Sequence, residues 1–458
     1  MELRSATYLL LFVSTACTNA PVPERVAQST AIVYDGAQVI IGDQAEPIQA
    51  GRVVIDQGII RAVGSQNEVI IPGGAQTVDI NGMTIMPALV NLHGHVGFQK
   101  GLTYEEANYT RDNILDHLNR YAFHGIGVIV SMGTDAGPTW REIQNDQLSK
   151  SLSGTRLETA GRGLAAPNAG PGASALRPSA YGVTTEAEGR QYVRDLAADG
   201  VAFVKIWVDD RGGSVEKLSP PLYRAIIDEA HQLGLDVIAH VFYHEDAEDL
   251  VDAGVDGFAH LVRDREMDDA LVAAIVEEDV FVMPNLGISE RGRHSSPPDW
   301  LSDPLLISSL EPAVLARATE TFKTRDPENA ARASQSYDQM ERSLAKLYAA
   351  GAALVLGSDS GVQDHFYGFS AHRELALMVE AGISPMDAIR TATSRSADRL
   401  GFSYSGRLRP GARADFIILD ASPLDDIRNT RRIASVYLAG EAIDRNTLST
   451  NWTSAEVN

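Results

Sequence analysis

The stretch MPALVNLHGH at residues 86–95 is an apolar run that ends in two histidines. A strand that is apolar on both faces is typical of a parallel sheet covered by helices on each side. His93 and His95 are two residues apart, so in a strand both side chains point to the same side. Seven further runs of similar character follow along the chain: GVIVSMG (127–133), RLETAG (156–161), VAFVKIW (201–207), LDVIAH (235–240), DGFAH (256–260), VFVMPNL (280–286) and ALVLGSD (353–359).

Amphipathic helical patterns separate most of these runs, for example PPLYRAIIDEAHQLG (220–234) and HEDAEDLVDAG (244–254). Eight alternating units predict an α/β fold, a closed (β/α)8 TIM barrel over residues 86–405. A doubly wound open sheet would alternate in the same way, but no glycine-rich phosphate-binding motif follows the first strand. The pattern therefore favours the barrel.

Long stretches between barrel units are expected at residues 161–182 and from residue 290 to about 348. The first is rich in Gly, Ala and Pro, and the second is polar and partly helical in pattern. Long loops that follow barrel strands commonly contact the substrate or cover it. We expect both stretches to face the active site, with loop decoration as the alternative.

Both ends of the chain carry short alternating runs that glycine and other turn residues interrupt. Such period-two patterns indicate small antiparallel strands. They occur in AIVYDG (31–36) and RVVIDQGIIRAVG (52–64), and again in GRLRPGARADFIILD (406–420). We expect residues 30–85 and 406–450 to form one small β-sandwich domain.

The 458 residues include 39 basic and 61 acidic side chains, a formal net charge of -22. That balance argues against binding nucleic acid or an anionic lipid surface through a general electrostatic field. We expect a small molecule as the partner. No sequence pattern indicates an oligomeric state.

The N-terminus is typical of an export segment, which we place at residues 1–20. Arg4 is followed by eight largely apolar residues, too few to span a bilayer but suited to a signal sequence. Cys17 is the only cysteine, so no intrachain disulfide is possible. Its position resembles a bacterial lipobox, in which the cysteine carries a lipid anchor; ordinary cleavage after Ala20 is the alternative. We expect an exported protein, either periplasmic or a membrane-anchored lipoprotein.

Six residues of metal-binding type lie at or near the ends of the predicted strands. In a barrel the carboxyl ends of all strands meet at one face, so these side chains would converge there. Imidazole and carboxylate groups are ligands that zinc and similar divalent ions accept in proteins. The six residues are His93, His95, Lys205, His240, His260 and Asp359.

Lys205 distinguishes between the possible kinds of site. A lysine inside VAFVKIWV would be a costly buried charge without a local partner. When CO2 carboxylates its amine, it becomes an anionic oxygen donor that can bridge two metal ions. The alternative is a lysine at the strand end whose amine reaches solvent.

These motifs resemble those of the amidohydrolase superfamily, in particular its binuclear imidazolonepropionase-like and prolidase-like members. The resemblance covers nearly everything after residue 30. It rests on GMTIMPALVNLHGH (82–95), VKIW (204–207), the histidines 20 apart in AH…AGVDGFAH, GSDSG (357–361), ELALMVEAGISPMDAIRTATSRSADRLGF (374–402) and GRLRPGARADFIILD (406–420).

Position by position, the resemblance implies a centre of two divalent ions, with zinc as the expected metal. His93, His95 and Asp359 would bind one ion, the two later histidines the other, and a carboxylated Lys205 would bridge them. The ions would generate a bridging hydroxide, and Asp359 would act as the catalytic proton acceptor.

The function expected on this basis is hydrolysis of a carbon–nitrogen bond in an N-acyl amino acid, dipeptide or related amide. Tyr243, His244 and His365 follow metal ligands closely and are candidates for substrate contact. Three alternatives remain open: an esterase or lactonase with the same centre, a mononuclear deaminase, and an inactive exported protein that only binds a ligand. Lys205 argues against the deaminase, which has no need of a bridging lysine.

Overall fold

The computed structural model describes residues 29–455. The predicted export segment and Cys17 lie outside the described residues, so export and lipid anchoring stay predictions. Within residues 29–455, every helix is too short or too polar to cross a lipid bilayer.

Nineteen strands are present in the part of the chain that the structure describes. In chain order they are β1 Ile32–Val39, β2 Ile48–Asp56, β3 Ile59–Ser65, β4 Gln76–Asp79, β5 Thr84–Pro87, β6 Leu89–Gly94, β7 Gln99–Lys100, β8 Thr103–Tyr104, β9 Ile126–Ser131, β10 Arg156–Thr159, β11 Leu164–Ala165, β12 Tyr181–Gly182, β13 Val204–Val208, β14 Val237–Val241, β15 Gly257–Ala259, β16 Phe281–Met283, β17 Phe416–Leu419, β18 Ile433–Leu438 and β19 Glu441–Ala442.

The helices lie mainly between and after the parallel strands. They are α1 Arg111–Phe123, α2 Thr139–Leu148, α3 Glu186–Asp199, α4 Pro220–Gln232, α5 His244–Asp252, α6 Asp269–Glu277, α7 Leu286–Glu290, α8 Pro304–Ile307, α9 Pro312–Lys323, α10 Pro327–Ala349, α11 Phe369–Glu380, α12 Pro385–Arg390, α13 Ser396–Arg399 and α14 Arg445–Thr453. A π-helical turn, Thr391–Arg395, joins α12 to α13.

Local sequence explains where these helices begin and end. At the start of α3, the Thr185 side chain accepts a hydrogen bond from the Glu188 N–H, and the Glu188 carboxylate accepts one from the Thr185 N–H. Gly200 ends the helix with a φ of 77°, a left-handed conformation that glycine adopts without strain. The helices predicted at residues 220–234 and 244–254 are confirmed as α4 and α5.

Parallel pairing dominates the middle of the chain, which confirms the α/β prediction. One sheet has the order β10-β9-β6, and a second has the order β12-β11-β13-β14-β15-β16. Nearly every residue of these strands is buried, as their apolar runs predict. The two sheets do not merge into one continuous sheet within the described residues, so barrel closure is not shown by regular pairing.

The predicted eighth strand, residues 353–359, is extended chain and not a regular strand. Isolated parallel bridges join Leu354 to Val282 of β16 and Ser360 to Gly94 of β6. The reason is a contact between residues distant in sequence: the Leu356 N–H donates to the Thr391 carbonyl oxygen (3.1 Å) of the π-helical turn instead of to a strand. The segment nevertheless lies between β16 and β6.

Both ends of the chain contribute to one eight-stranded sheet of the order β19-β18-β17-β5-β1-β2-β3, with β4 pairing with β1. β5 and β17 pair in antiparallel fashion, which joins the two ends directly. Apolar side chains from both ends, among them Tyr34 and Phe416, form the core of this sheet. The described residues place all eight strands in this single sheet, so the two-layered sandwich and the domain limits stay predictions.

Candidate metal centre

Three of the predicted metal ligands come together where β6 meets the extended segment. His93, His95 and Asp359 each offer one ligand atom, and these atoms all lie within 4.8 Å of one another. The Asp359 Oδ1 lies 3.3 Å from His93 Nε2 and 3.1 Å from His95 Nε2. All three side chains are buried. Two histidines at the end of β6 and one aspartate at the end of the extended segment 353–359 therefore form a compact set of two nitrogen donors and one oxygen donor.

The two later histidines continue this cluster along the neighbouring strands. His260 Nε2 lies 3.8 Å from Asp359 Oδ2, so a third imidazole faces the same carboxylate. The ring centroids of His240 and His260 are 4.6 Å apart. His240 Nε2 is directed to Asp209 Oδ2 at 3.0 Å. All four predicted histidines thus form one buried group around Asp359.

Lys205 lines the same cavity as these residues. Its side chain is 1% exposed, and Nζ has no hydrogen-bond partner within residues 29–455. A Cβ at Gly133 would lie 2.7 Å from Lys205 Cγ, so glycine at that position leaves the lysine its space. Burial lowers the pKa of the amine to about 7, so an appreciable fraction is neutral at neutral pH.

The protonation states of the cluster suit metal binding. Burial holds the pKa of His93 and His260 well below the ordinary value, which leaves neutral imidazoles with a free lone pair. Burial opposes ionisation of Asp359, but His93 and His95 outweigh it and lower the pKa of that carboxyl. Neutral imidazoles and an ionised carboxylate are the ligand forms that divalent metals require.

Unpartnered buried atoms give an independent test of whether a metal fits. His93 Nδ1 and His260 Nδ1 are buried without a hydrogen-bond partner among the described residues, as is Lys205 Nζ. Buried polar atoms are usually hydrogen-bonded, so three in one cavity call for an explanation. A cation held by His93 Nε2, His95 Nε2 and Asp359 would account for rings that keep Nε2 toward the carboxylate and leave Nδ1 unpaired, and the neutral form of the Lys205 amine would offer it a further lone pair. The residues present therefore fit a divalent ion.

The backbone at two of these positions is unusual. His260 has a φ of 83° and Asp359 a φ of 53°, both in the left-handed region that residues with a side chain avoid. The Asn285 Oδ1 accepts a hydrogen bond from the His260 N–H at 3.2 Å and holds that turn. Strained conformations of this kind concentrate at functional sites, because surrounding contacts must hold them.

The cluster opens into a cavity of about 310 Å³. This volume is at the lower end of the range for small-molecule sites. Part of its wall comes from the insert predicted to face the substrate, with Pro171, Ala173 and Leu176, and the Trp207 side chain adds to it. A Cβ at Gly163 would lie 2.3 Å from the Trp207 ring, so glycine in this insert allows the indole its position.

Several polar residues of the site were missed from the sequence. Asp209 directly follows β13, the strand that contains Lys205, and Asp209 Oδ2 lies 2.6 Å from Arg211 Nη1. Arg211, Arg263 and Arg291 line the cavity together with the predicted ligands. A carboxylate directly after VKIWV was a usable signal for Asp209, whereas the arginines lie in loops whose course the sequence does not specify.

The three candidates for substrate contact do not line this cavity. The Tyr243 hydroxyl donates to Asp210 Oδ1 (2.7 Å). His244 begins α5, and its buried ring contacts Arg265 Nη2 at 2.9 Å through Nδ1. His365 Nε2 donates to the Ser358 carbonyl oxygen at 2.7 Å. Their side chains are used in contacts with neighbouring residues outside the cavity.

Comparisons with known proteins identify the family and support the fold. The model of the amidohydrolase family matches residues 84–443. An uncharacterized protein of Mycobacterium bovis is 27% identical over 217 residues, 46% of this chain and 53% of that protein. An imidazolonepropionase of Deinococcus deserti is 37% identical over 102 residues, 21% of this chain and 25% of that protein. The chain thus spans about half the length, or less, of these curated relatives.

Similarity of fold extends much further than similarity of sequence. The solved structure of an Xaa-Pro dipeptidase has a TM-score of 0.71 and 21% identity, covering 90% of this chain and 99% of that chain. The family match begins just before β6 and ends after β18, so it includes every predicted metal ligand. The chain therefore belongs to the amidohydrolase family.

Proposed function

We propose that this protein is a metal-dependent hydrolase that cleaves the carbon–nitrogen bond of a small amide or peptide, such as an N-acyl amino acid or a dipeptide. The observation that carries the proposal is the Lys205 amine, buried without a partner in a cavity that it shares with four histidines and Asp359. Within residues 29–455 the amine has only the Trp207 ring as a neighbour for its charge, with the centroid 5.7 Å from Nζ, which is weak compensation for burying a cation. Family membership supports the same class of reaction.

The proposed framework is a closed (β/α)8 barrel. Backbone hydrogen bonds support closure at both seams: the Ala202 N–H donates to the Thr159 carbonyl oxygen (2.8 Å) at one, and several bonds, including Leu92 N–H to the Leu356 carbonyl oxygen (2.8 Å), join the other. Inward-facing residues of the parallel strands and of the extended segment, including Phe203, also pack in one apolar cluster. A barrel filled by side chains in this way presents its site at the carboxyl ends of the strands.

We assign the ligands to two divalent ions, with zinc as the proposed metal. His93, His95 and Asp359 would hold one ion, and the two later histidines the other. Lys205, carboxylated by CO2, would contribute oxygen atoms to both. Only the neutral amine reacts with CO2, and a pKa of about 7 supports an appreciable neutral fraction.

In the proposed mechanism, Asp359 accepts the proton of the attacking water and later donates it to the leaving nitrogen. Bound ions would lower the pKa of that water and polarise the scissile carbonyl. The carboxylate suits the role because it is buried and ionised, yet lies at the cavity wall. The Tyr121 hydroxyl and the Ser360 hydroxyl, 2.8 Å apart, pack beside Asp359 and hold the turn that presents it.

The first test is the metal content per chain, measured on protein produced with zinc and bicarbonate. We expect about two ions in the wild type, fewer in Lys205→Ala, and loss of activity with them. Lys217→Ala is the matched control, because the Lys217 amine pairs with Asp246 (2.8 Å) outside the cavity. Equal metal content in wild type and Lys205→Ala would remove the lysine from the centre.

The bond that is cleaved is tested with a panel of N-acyl amino acids, dipeptides, lactones and esters. Turnover of amides above esters and lactones of the same size is expected. Preference for a lactone would keep the metal centre and move the assignment to the carbon–oxygen bond. Metal binding without turnover of any member would favour a ligand-binding protein.

A further inference from the structure

Three guanidinium groups line the cavity of the metal centre, although the protein as a whole carries a formal charge of -22. They belong to Arg211, Arg263 and Arg291. Arg211 is already paired, with Nη1 at 2.6 Å from Asp209 Oδ2. Arg263 and Arg291 are not paired in this way within residues 29–455.

Arg263 lies half-buried at the cavity, three residues after His260. Its guanidinium makes neither an ion pair nor a hydrogen bond with any residue of the described chain, and Nε is fully buried. Arg291, also half-buried, donates from Nη1 to the Gln363 carbonyl oxygen at 2.6 Å and has no carboxylate partner within residues 29–455. Two positive charges at this cavity thus have no carboxylate of the described residues within ion-pair distance, and Asp359 acts on both only from farther away.

This arrangement costs free energy unless something else pairs with the charges. Desolvation of an unpaired cation is unfavourable. By contrast, Arg120, which lies outside this cavity, contacts both Asp116 (2.7 Å) and Glu311 (2.5 Å). Burial lowers the pKa of Arg291 to about 10, so the group stays charged at neutral pH. Divalent ions at the neighbouring ligands would add further positive charge to the cavity.

The two arginines occupy neighbouring strand ends. Arg263 follows β15, and Arg291 follows β16 and the short helix α7; β15 and β16 are paired in parallel. The apolar wall formed by Leu176 and Trp207 comes from the insert before β12 and from β13. The two guanidinium groups therefore lie on the β15 and β16 side of the cavity, and the apolar side chains of Leu176 and Trp207 lie on the β13 side.

We propose that Arg263 and Arg291 bind a carboxylate of the substrate, so that this enzyme selects anionic amides over neutral ones. The inference rests on the proposed function, whose substrate class it narrows. A guanidinium presents a planar fork of donors that matches a carboxylate. The carboxylate lies at the β15 and β16 side, and the apolar part of the substrate faces Trp207.

The test compares two compounds that differ only in the carboxylate, N-acetyl-L-leucine and N-isopentylacetamide, on the metal-loaded enzyme. Hydrogen bonds to charged groups contribute about 1.5–3 kcal/mol each, so Arg263→Gln is expected to lower kcat/KM for the first compound roughly 10- to 150-fold. The loss should appear mainly in KM. The ratio of kcat/KM for N-acetyl-L-leucine to that for the neutral compound should fall by about the same factor.

Matched controls remove an arginine from the same loops without altering the cavity. The control variants are Arg265→Gln and Arg293→Gln. Arg265 lies two residues after Arg263 and Arg293 two residues after Arg291, and neither side chain lines the cavity. Both controls should keep the preference for N-acetyl-L-leucine. Arg263→Gln should fold normally, because the guanidinium forms no hydrogen bond or ion pair with the described residues and contacts only the Phe242 ring, with its centroid 5.8 Å from Cζ; thermal unfolding of the variant checks this.

The outcomes separate the inference from the proposed function. If both compounds are hydrolysed with equal kcat/KM, the function stands and the inference is overturned. If neither is hydrolysed, calorimetric titration of the same compounds decides. Tighter binding of N-acetyl-L-leucine that Arg263→Gln abolishes supports the carboxylate site, whereas equal binding, or none, overturns it.

Discussion

Replacing Lys205 by methionine should affect the metal-free and the metal-loaded protein in opposite directions. The lysine side chain is 1% exposed and its amine has no partner within residues 29–455. Methionine has similar length and no charge, so it fills the same space without the cost of desolvating an amine. In the metal-free protein the substitution should therefore stabilise the fold. In the metal-loaded protein the substitution removes a proposed metal ligand and should lower the stability of the fold.

The magnitude follows from the pKa of the Lys205 amine. Burial lowers this pKa from 10.5 to about 7, and each unit corresponds to about 1.36 kcal/mol. At pH 7 the metal-free wild type should thus be about 4 kcal/mol less stable than Lys205→Met, as an upper value. Between pH 7 and 10.5 the unfolded state binds more protons than the native state, so wild-type stability rises with pH. At pH 9.5 the difference should shrink to about 1 kcal/mol.

The assay is urea unfolding of chelator-treated protein at pH 7 and pH 9.5, repeated after addition of zinc and bicarbonate. The wild type should gain about 2.7 kcal/mol at a metal concentration of 100 times Kd, and Lys205→Met should gain less. Lys217→Met, which removes a lysine outside the cavity, controls for general effects of lost charge. If chelator-treated wild type and Lys205→Met are equally stable at both pH values, the lysine does not carry a desolvation cost and the reasoning fails.

Asp359→Asn should lower kcat by about 100- to 10,000-fold, because the amide cannot accept the proton; steady-state kinetics with metal content measured in parallel checks this, and a loss under tenfold would contradict it. Glu374 accepts hydrogen bonds from the N–H groups of Leu286 (2.8 Å) and Gly287 (2.7 Å), and burial raises its pKa to about 7. The Glu374 carboxyl therefore holds its proton more tightly in the native state than in the unfolded state, and the stability that this difference contributes is fully present below pH 4.5. About 3 kcal/mol of it is lost as pH rises through 7. Urea unfolding of wild type and Glu374→Gln between pH 5 and 8 should show this decrease only in the wild type. Tyr243→Phe removes a hydrogen bond outside the cavity and should cost about 1 kcal/mol of stability; unchanged kcat/KM would confirm that this tyrosine does not touch the substrate.

The parallel strands and the ligand cluster could be predicted because both depend on short-range patterns. A buried parallel strand must be apolar along its whole length, and a ligand must stand where such a strand ends, so His93 and His260 are visible in the sequence. The eighth strand was predicted as regular because ALVLGSD has the same pattern. The contact of Leu356 with Thr391 that replaces strand pairing joins residues 35 apart, and no local pattern encodes it.

The direction of side chains in loops could not be predicted in the same way. Tyr243 and His365 were selected for their proximity to ligands along the chain, but one turn of chain is enough to direct a side chain away from the cavity. Arg263 and Arg291 line the same cavity as the predicted ligands, yet each resembles a surface arginine in sequence. Only the fold of the loops after β15 and β16 brings them to the ligands.

The left-handed backbone at His260 has a consequence for engineering. A φ of 83° on a residue with a side chain costs about 1–2 kcal/mol, and aspartate, as at position 359, tolerates this region better than histidine does. Glycine at position 260 would remove this backbone cost, but it would also leave a cavity where the buried imidazole packs. A directed-evolution screen that rewards heat resistance without assaying turnover would accept His260→Gly wherever the relieved strain exceeds the lost packing, and the proposed metal ligand would be lost with it. Libraries built for thermostability should keep this codon fixed.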